Sequence, residues 1–373
     1  MRIAFDVSYV QKRRAGIGRH ALQLITALLN EDKRNEYVLH GWSWRLDPET
    51  LRTLQKTNVR LSTAKIPGAV KRWYWNTLRM PAIEQLIGPF DIFHSTDPFV
   101  PPTRRSKRLC TVHDIAYKKF PELFEQRVLS WGKHVERSIA AADAVIVPSL
   151  QTKADVAEAF RIASDAIHVV QLPPDASFRF GKDEAADMAV VKKFNLAKPY
   201  ILFVGTLEPR KNIPTLIHAF ERLHNHDVEL VIVGKKGWLY DGILETMNRS
   251  HYRSRIHYLE YVADSELPSL YRCALCFVYP SLYEGYGFPV LEAMASGVPI
   301  ITSMNSAMRE LADGVALLIE PTNVDDIAEA MEMLIANPIR RLEMRQRGLH
   351  IVEQLSSASV ARTLLNIYQS LAA

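Results

Sequence analysis

The sequence predicts an α/β protein of two doubly wound domains, and three observations carry that prediction. At 373 residues the chain exceeds the size at which one hydrophobic core stops growing, so two domains are the default. Short apolar, β-branched runs alternate with longer amphipathic stretches from end to end, the pattern of parallel sheets covered by helices. The rhythm breaks at Gln171-Leu172-Pro173-Pro174-Asp175-Ala176, where paired prolines can continue neither a helix nor a central strand. The expected domains are therefore 1–174 and 175–356, followed by a last helix over 357–373.

In the first half, strands are expected over residues 2–7, 37–40, 91–94, 108–112 and 144–147. A first helix carries Ile17, Ala21, Leu24, Ile25 and Leu28 at helical spacing. In the second half the strands fall at 200–204, 229–233, 256–258, 275–279, 299–301 and 316–319. Residues 323–354 and 357–372 read as helical. In sheets of this kind ligands gather beyond the carboxyl ends of the strands, so the residues that follow each strand are the ones to inspect.

Composition narrows the class. With 48% hydrophobic and 23% charged residues, the chain reads as soluble and globular rather than disordered. No run approaches the ~20 apolar residues that cross a bilayer. Asp6 interrupts Ile3-Ala4-Phe5-Asp6-Val7, so no signal peptide is expected and the reading is cytoplasmic. Cys273 and Cys276 form a C-x-x-C without a second ligand pair, which favours buried thiols over a zinc site. Residues 1–175 hold 26 Lys+Arg against 18 Asp+Glu, net +8, while the remainder holds 20 against 23, net −3. That asymmetry suggests an anionic partner for the first half and leaves open nucleic acid, a membrane surface or a phosphorylated substrate.

The most informative segment is Glu284-Gly285-Tyr286-Gly287-Phe288-Pro289-Val290-Leu291-Glu292, after the strand that ends near residue 279. Two carboxylates lie eight positions apart, one in a glycine-rich loop and one about a turn into a helix. Each can accept hydrogen bonds from two adjacent hydroxyls, which suits sugar rings. Pro289 fits the first helical turn. Main-chain N–H groups around Gly287 and Phe288 are candidates to hold an oxygen-rich ligand. In Val204-Gly205-Thr206-Leu207-Glu208-Pro209-Arg210-Lys211-Asn212, adjacent Arg210 and Lys211 at a strand-to-helix loop can neutralise a diphosphate. Thr111-Val112-His113-Asp114 puts a histidine at a strand's carboxyl end, and Gly16 and Gly18 lie between the first strand and the first helix.

The Glu-x₇-Glu arrangement and these three segments resemble family 4 of the retaining glycosyltransferases, and the resemblance covers nearly the whole chain. It implies the GT-B fold, two Rossmann-like domains facing a central cleft, with the last helix packed back on the first domain. By that resemblance Arg210 and Lys211 bind the donor diphosphate and assist departure of the nucleotide. Glu292 is the candidate for ribose hydroxyls, Glu284 for sugar hydroxyls, and His113 for a contact to the donor sugar. Gly16, Gly18, Gly205, Gly234, Gly287, Phe288 and Pro289 are expected around the donor. Asp264 reads more as the N-cap of a helix over 265–272 than as a base contact.

No Asp-x-Asp pair is present, so metal independence is inferred, and no cofactor is expected. The loops look most like those of members that use GDP-mannose, with a UDP-sugar as the alternative donor. A catalytically silent nucleotide-sugar-binding protein is the alternative of a different class. No nucleic-acid-binding motif accompanies the basic half. Lys71-Arg72-Trp73-Tyr74-Trp75-Asn76 interleaves bases and aromatics, which suits an anionic membrane surface or, equally, a helix whose aromatics are core. The acceptor expected is a lipid-diphosphate-linked saccharide in bacterial surface polysaccharide synthesis.

Overall fold

A computed structural model describes the chain except residues 12–15, 43–45, 65–73, 79, 182 and 225–226. Arg14, Ala15 and the Lys71-Arg72-Trp73 stretch therefore lie outside the described residues. The chain divides into two compact units. One comprises Met1–Ile115, Arg127–Leu172 and Leu355–Ala373, the other Ala116–Gln126 and Pro173–Gln354.

The first unit is built on a parallel sheet of seven strands: β1 (Arg2–Asp6), β2 (Glu36–Trp42), β3 (Val59–Ala64), β4 (Ile92–Ser95), β5 (Lys107–Thr111), β6 (Ala144–Val147) and β7 (Ile167–Val169). Their order is β3-β2-β1-β4-β5-β6-β7. The central strands are apolar and covered on both faces, as a parallel sheet requires. Every residue of β4 and β6 is buried. The edge strands β3 and β7 were not expected, for a physical reason. β3 alternates apolar with polar residues, Val-Arg-Leu-Ser-Thr-Ala, and β7 is only three residues long, so neither shows the continuous apolar run of a covered strand.

The helix Ser357–Ala372 belongs to this unit and packs on the helix Gly16–Glu31. Its Tyr368 is fully buried, and its hydroxyl lies 2.7 Å from His94 Nδ1. His94 Nε2 lies 3.2 Å from Thr111 Oγ1, and the Phe5 ring stacks at a tilt 4.8 Å from the imidazole. Burial pushes His94 down to about 3, so the ring is neutral at ordinary pH and serves as a polar tie inside the sheet. Trp75 packs among Ala4, Ile83, Phe93 and Phe99, while Tyr74 is exposed. Trp75 thus follows the core alternative for the basic–aromatic stretch.

The second unit contains a parallel sheet of six strands: β8 (Tyr200–Val204), β9 (Glu229–Val233), β10 (Ile256–Leu259), β11 (Cys276–Tyr279), β12 (Ile300–Ser303) and β13 (Leu317–Ile319). The order β10-β9-β8-β11-β12-β13 repeats the pattern of the first six strands of the other sheet. Each unit therefore has a switch point where the strand order reverses, between β1 and β4 in one and between β8 and β11 in the other. Both cysteines of the C-x-x-C are free thiols, and burial pushes Cys273 up to about 11 and Cys276 to about 12. The helix expected over 265–272 is Leu267–Arg272 with Glu266 as its cap residue, so Asp264 lies outside it.

Candidate active site

Two loops leave neighbouring strands at the switch point of the second unit. The loop after β8 is clipped to the loop after β9, with Gly205 N–H donating to Val233 O and Leu207 N–H to Lys235 O, both at 2.9 Å. This approach needs glycine at 234, where φ is +155° and a Cβ would lie 1.9 Å from Gly205 O. A short 3₁₀ turn, Pro209–Lys211, follows. Asn212 then takes a left-handed conformation (φ 56°) and directs the chain into the helix Ile213–Phe220, its amide donating to Pro321 O at 2.5 Å. The turn thereby places two adjacent cations at the end of β8.

From β11, the loop runs through Ser281, Tyr283 and Glu284 to the helix Phe288–Ala295. The two loops are joined by Leu282 N–H donating to Arg210 O at 2.9 Å. Arg210 Nη1 lies 2.8 Å from Glu284 Oε2 and donates to Tyr283 O at 2.9 Å, while Nη2 lies 2.7 Å from Glu208 Oε1. Lys211 Nζ donates to Glu284 Oε1 and to the Tyr279 hydroxyl, each at 2.5 Å. Tyr279 in turn donates to Glu284 Oε1 at 3.0 Å, and Ser281 Oγ does so at 2.6 Å. Two cations and two carboxylates thus form one buried group, with Glu208 only 3% and Glu284 only 7% exposed.

The electrostatics follow from that geometry. Burial alone would raise the Glu284 carboxyl, but Arg210 and then Lys211 outweigh it and hold the group at about 2. Burial lowers Lys211, and Arg210 beside it adds to the effect against the opposing pull of Glu284 and Glu208. Glu284, expected at sugar hydroxyls, has both oxygens engaged by protein donors.

Glu292 lies a turn into the helix Phe288–Ala295, buried, and accepts from the Tyr271 hydroxyl at 3.1 Å. Gly287 caps this helix at φ +97°, and a Cβ there would meet Met308 Cε at 2.1 Å. Its carbonyl accepts from Val290 and Leu291 N–H. Those two donors are spent on the cap, so the N–H of Val290, next to Pro289, is committed within the protein. Phe288 packs edge-on to Tyr286 at 5.0 Å, and Pro289 follows it in the first turn.

In the first unit, His113 follows β5. Its Nε2 is 2.9 Å from Thr96 O. A carbonyl only accepts, so Nε2 carries the proton. Burial lowers the ring's pKa, more than Thr96 and Asp114 raise it, which leaves Nδ1 as an acceptor in the neutral form. His20, from the helix Gly16–Glu31, meets His113 edge-on at 4.6 Å. In that helix Gly18 is buried, whereas Gly16 is exposed with open space where a Cβ would stand.

Profiles of two sequence families match the two halves of the chain. Glycosyltransferase Family 4 matches residues 14–178 and Glycosyl transferases group 1 matches residues 186–350. The chain belongs to glycosyltransferase family 4. This glycosyltransferase is 29% identical to O-antigen chain mannosyltransferase B of Escherichia coli over 387 aligned positions, covering 100% of both chains. It is 28% identical to an O-antigen chain mannosyltransferase of Salmonella typhimurium, covering 57% of this chain and 56% of that one. Among solved structures, a sucrose-phosphate synthase from Thermosynechococcus elongatus superposes with a TM-score of 0.80 at 19% identity, covering 99% and 98% of the two chains. The Anabaena protein HepE, solved with UDP and glucose, does so at 0.78 and 16% identity, covering 99% and 100%. At these identities the superpositions establish the fold, which is GT-B.

Sequence reasoning did not single out Glu208, Tyr279, Ser281 or Tyr271 as parts of this glycosyltransferase's site. Glu208 was within reach of it, being a carboxylate two positions before Arg210 in the same loop. Tyr279 read as the end of an apolar strand, and Tyr271 as part of a helix. Only the packing of β8 against β11 shows which hydroxyls meet the charges. The segment Ala116–Gln126 also carried no signal, yet Phe120 packs against Tyr283 at 5.8 Å and Trp238 Nε1 donates to Leu123 O at 2.9 Å.

Proposed function

We propose that the chain transfers a hexose, mannose from GDP-mannose, with retention of anomeric configuration, to a lipid-diphosphate-linked saccharide in surface polysaccharide assembly. The observation that carries this reading is the buried Arg210–Lys211–Glu284–Glu208 group at the β8/β11 switch point. Its two cations lie where an open α/β sheet takes its ligand, and the O-antigen mannosyltransferases it resembles support the sugar.

In this reading Arg210 and Lys211 stabilise the charge that develops on the leaving diphosphate. The anomeric C–O bond breaks with its electron pair going to the β-phosphate oxygen. The acceptor oxygen bonds to the anomeric carbon from the same face, and its proton passes to the departing diphosphate. Glu284 orients both cations and exchanges one of its protein donors for a sugar hydroxyl when donor binds. Glu292, held by Tyr271, takes the ribose hydroxyls. His113 accepts a hydrogen bond from a sugar hydroxyl through Nδ1.

For the acceptor we propose peripheral attachment to an anionic membrane at the cytoplasmic face. Tyr74, Leu78, Met80 and Leu86 are exposed apolar side chains of the first unit. The sequence over 65–79 carries Lys65, Lys71, Arg72 and Arg79 and no acidic residue, a combination suited to a lipid surface. No described helix is long and apolar enough to cross a membrane.

The test is to incubate the protein with GDP-mannose and with UDP-sugars beside a lipid-diphosphate saccharide, measuring nucleoside diphosphate release and the product's anomeric configuration. Release from GDP-mannose with an α-linked product is expected. Faster turnover of a UDP-sugar would overturn the donor assignment, and an inverted product the stereochemical one.

A further inference from the structure

We propose that Glu208 is a positioning residue that weakens the hold of Arg210 on the nucleoside diphosphate product and so speeds its release. The inference rests on the proposed contact of Arg210 with the donor phosphates.

Arg210 is gripped from two sides. Glu284 Oε2 and Tyr283 O take Nη1, and Glu208 Oε1 takes Nη2 at 2.7 Å. Glu284 and Tyr283 O together anchor the guanidinium to the β11 loop, and Glu284 also serves Lys211. Glu208 is not needed for that anchorage, yet it is buried beside the same cation. Its carboxylate brings the Arg210–Lys211–Glu284–Glu208 group to zero net charge. A diphosphate that reaches Arg210 therefore meets a neutral group rather than a surplus of positive charge, and it stands close to one carboxylate that the sugar does not use.

This repulsion distinguishes product from substrate. In the donor both phosphates are esterified. Once transfer is complete and the acceptor's proton has passed on to water, the terminal phosphate of the product carries one further negative charge. A fixed carboxylate on Arg210 opposes that added charge more than it opposes the donor. Burial makes the effect larger than it would be at the surface.

The experiment is calorimetric titration of the full chain with GDP and with UDP, using wild type, Glu208→Gln, Glu208→Met, Glu208→Asp and Arg210→Ala, alongside steady-state kinetics. Gln keeps the size of Glu208 and an oxygen that can accept from Arg210, while Met is an uncharged second variant of similar volume. Both are expected to bind the preferred diphosphate about tenfold more tightly than wild type. They are also expected to lower kcat through stronger product inhibition, with a smaller fall in donor KM. Glu208→Asp, which restores the charge, is expected to return affinity to near the wild-type value. A residue that merely supports the fold would weaken binding in all three variants. Unchanged or weaker diphosphate binding in Gln and Met variants that melt like wild type overturns the proposal. Arg210→Ala separates the two readings. If it leaves both diphosphates bound as before, the phosphate contact itself fails. If it weakens them while the uncharged Glu208 variants do not tighten, only the role of Glu208 fails.

Discussion

Glu284 takes hydrogen bonds or ion pairs from Arg210, Lys211, Tyr279 and Ser281 while almost fully buried. Such a carboxylate is costly to alter, because its removal takes away the counter-charge shared by Arg210 and Lys211. Glu284→Gln is expected to destabilise the second unit by about 3 kcal/mol at neutral pH, measured by urea unfolding. It is also expected to lower kcat/KM by about a hundredfold or more, since the cations lose their orientation. The pH dependence has a definite sign. With a folded value of about 2 against an ordinary 4.5, the group contributes stability above pH 4.5 that is lost as pH falls towards 2. Glu284→Gln should lack that component, and an unchanged acid limb in the variant would count against the ion-pair reading.

Among the loops, the pairing of the β8 and β9 connections sets where Arg210 starts. Gly234 permits it by having no Cβ against Gly205 O. Gly234→Ala is expected to cost about 2 kcal/mol or more, because positive φ and a backbone clash coincide. The control is Gly242→Ala in the helix Asp241–Arg249, where a Cβ meets nothing within 4 Å. That change should leave the melting temperature unaltered or slightly raised. Equal losses at both positions would show that the β9 loop approach is not limiting. Gly287 presents the same logic against Met308, so its conformation is set by packing as well as by the helix cap.

The whole chain is expected to weaken in mild acid before its carboxylates titrate. His94 has a folded value near 3 and an ordinary value of 6.5. Between these the unfolded chain binds the proton that the folded chain refuses, so stability rises with pH across that window. His113 and His20 are lowered in the same direction by burial. Melting temperature should therefore fall as pH drops from 7 to 4.5. Tyr368→Phe removes the hydroxyl beside His94 Nδ1 and is expected to cost about 1–2 kcal/mol. It should also make the C-terminal helix Ser357–Ala372 an earlier target of limited proteolysis. A variant with wild-type stability would show that the helix is held by its apolar contacts alone.

Much of this molecule was determined locally and is therefore written along the chain. Covered parallel strands need continuous apolar runs, so β1, β6 and β8 declare themselves, as do the paired prolines and the Glu284-to-Glu292 spacing. The half-exposed edge strands β3 and β7 do not, because nothing forces their sequence to be uniformly apolar. The motif residues Arg210, Lys211, Glu284 and Glu292 could be named from their loops, but their partners could not. That Glu284 lies against Arg210 and Lys211, and that Tyr368 reaches His94 across 274 residues, depends on which elements lie side by side. Side-chain spacing is a property of the chain, whereas charge compensation is a property of the space between its loops, and only the tertiary structure decides that.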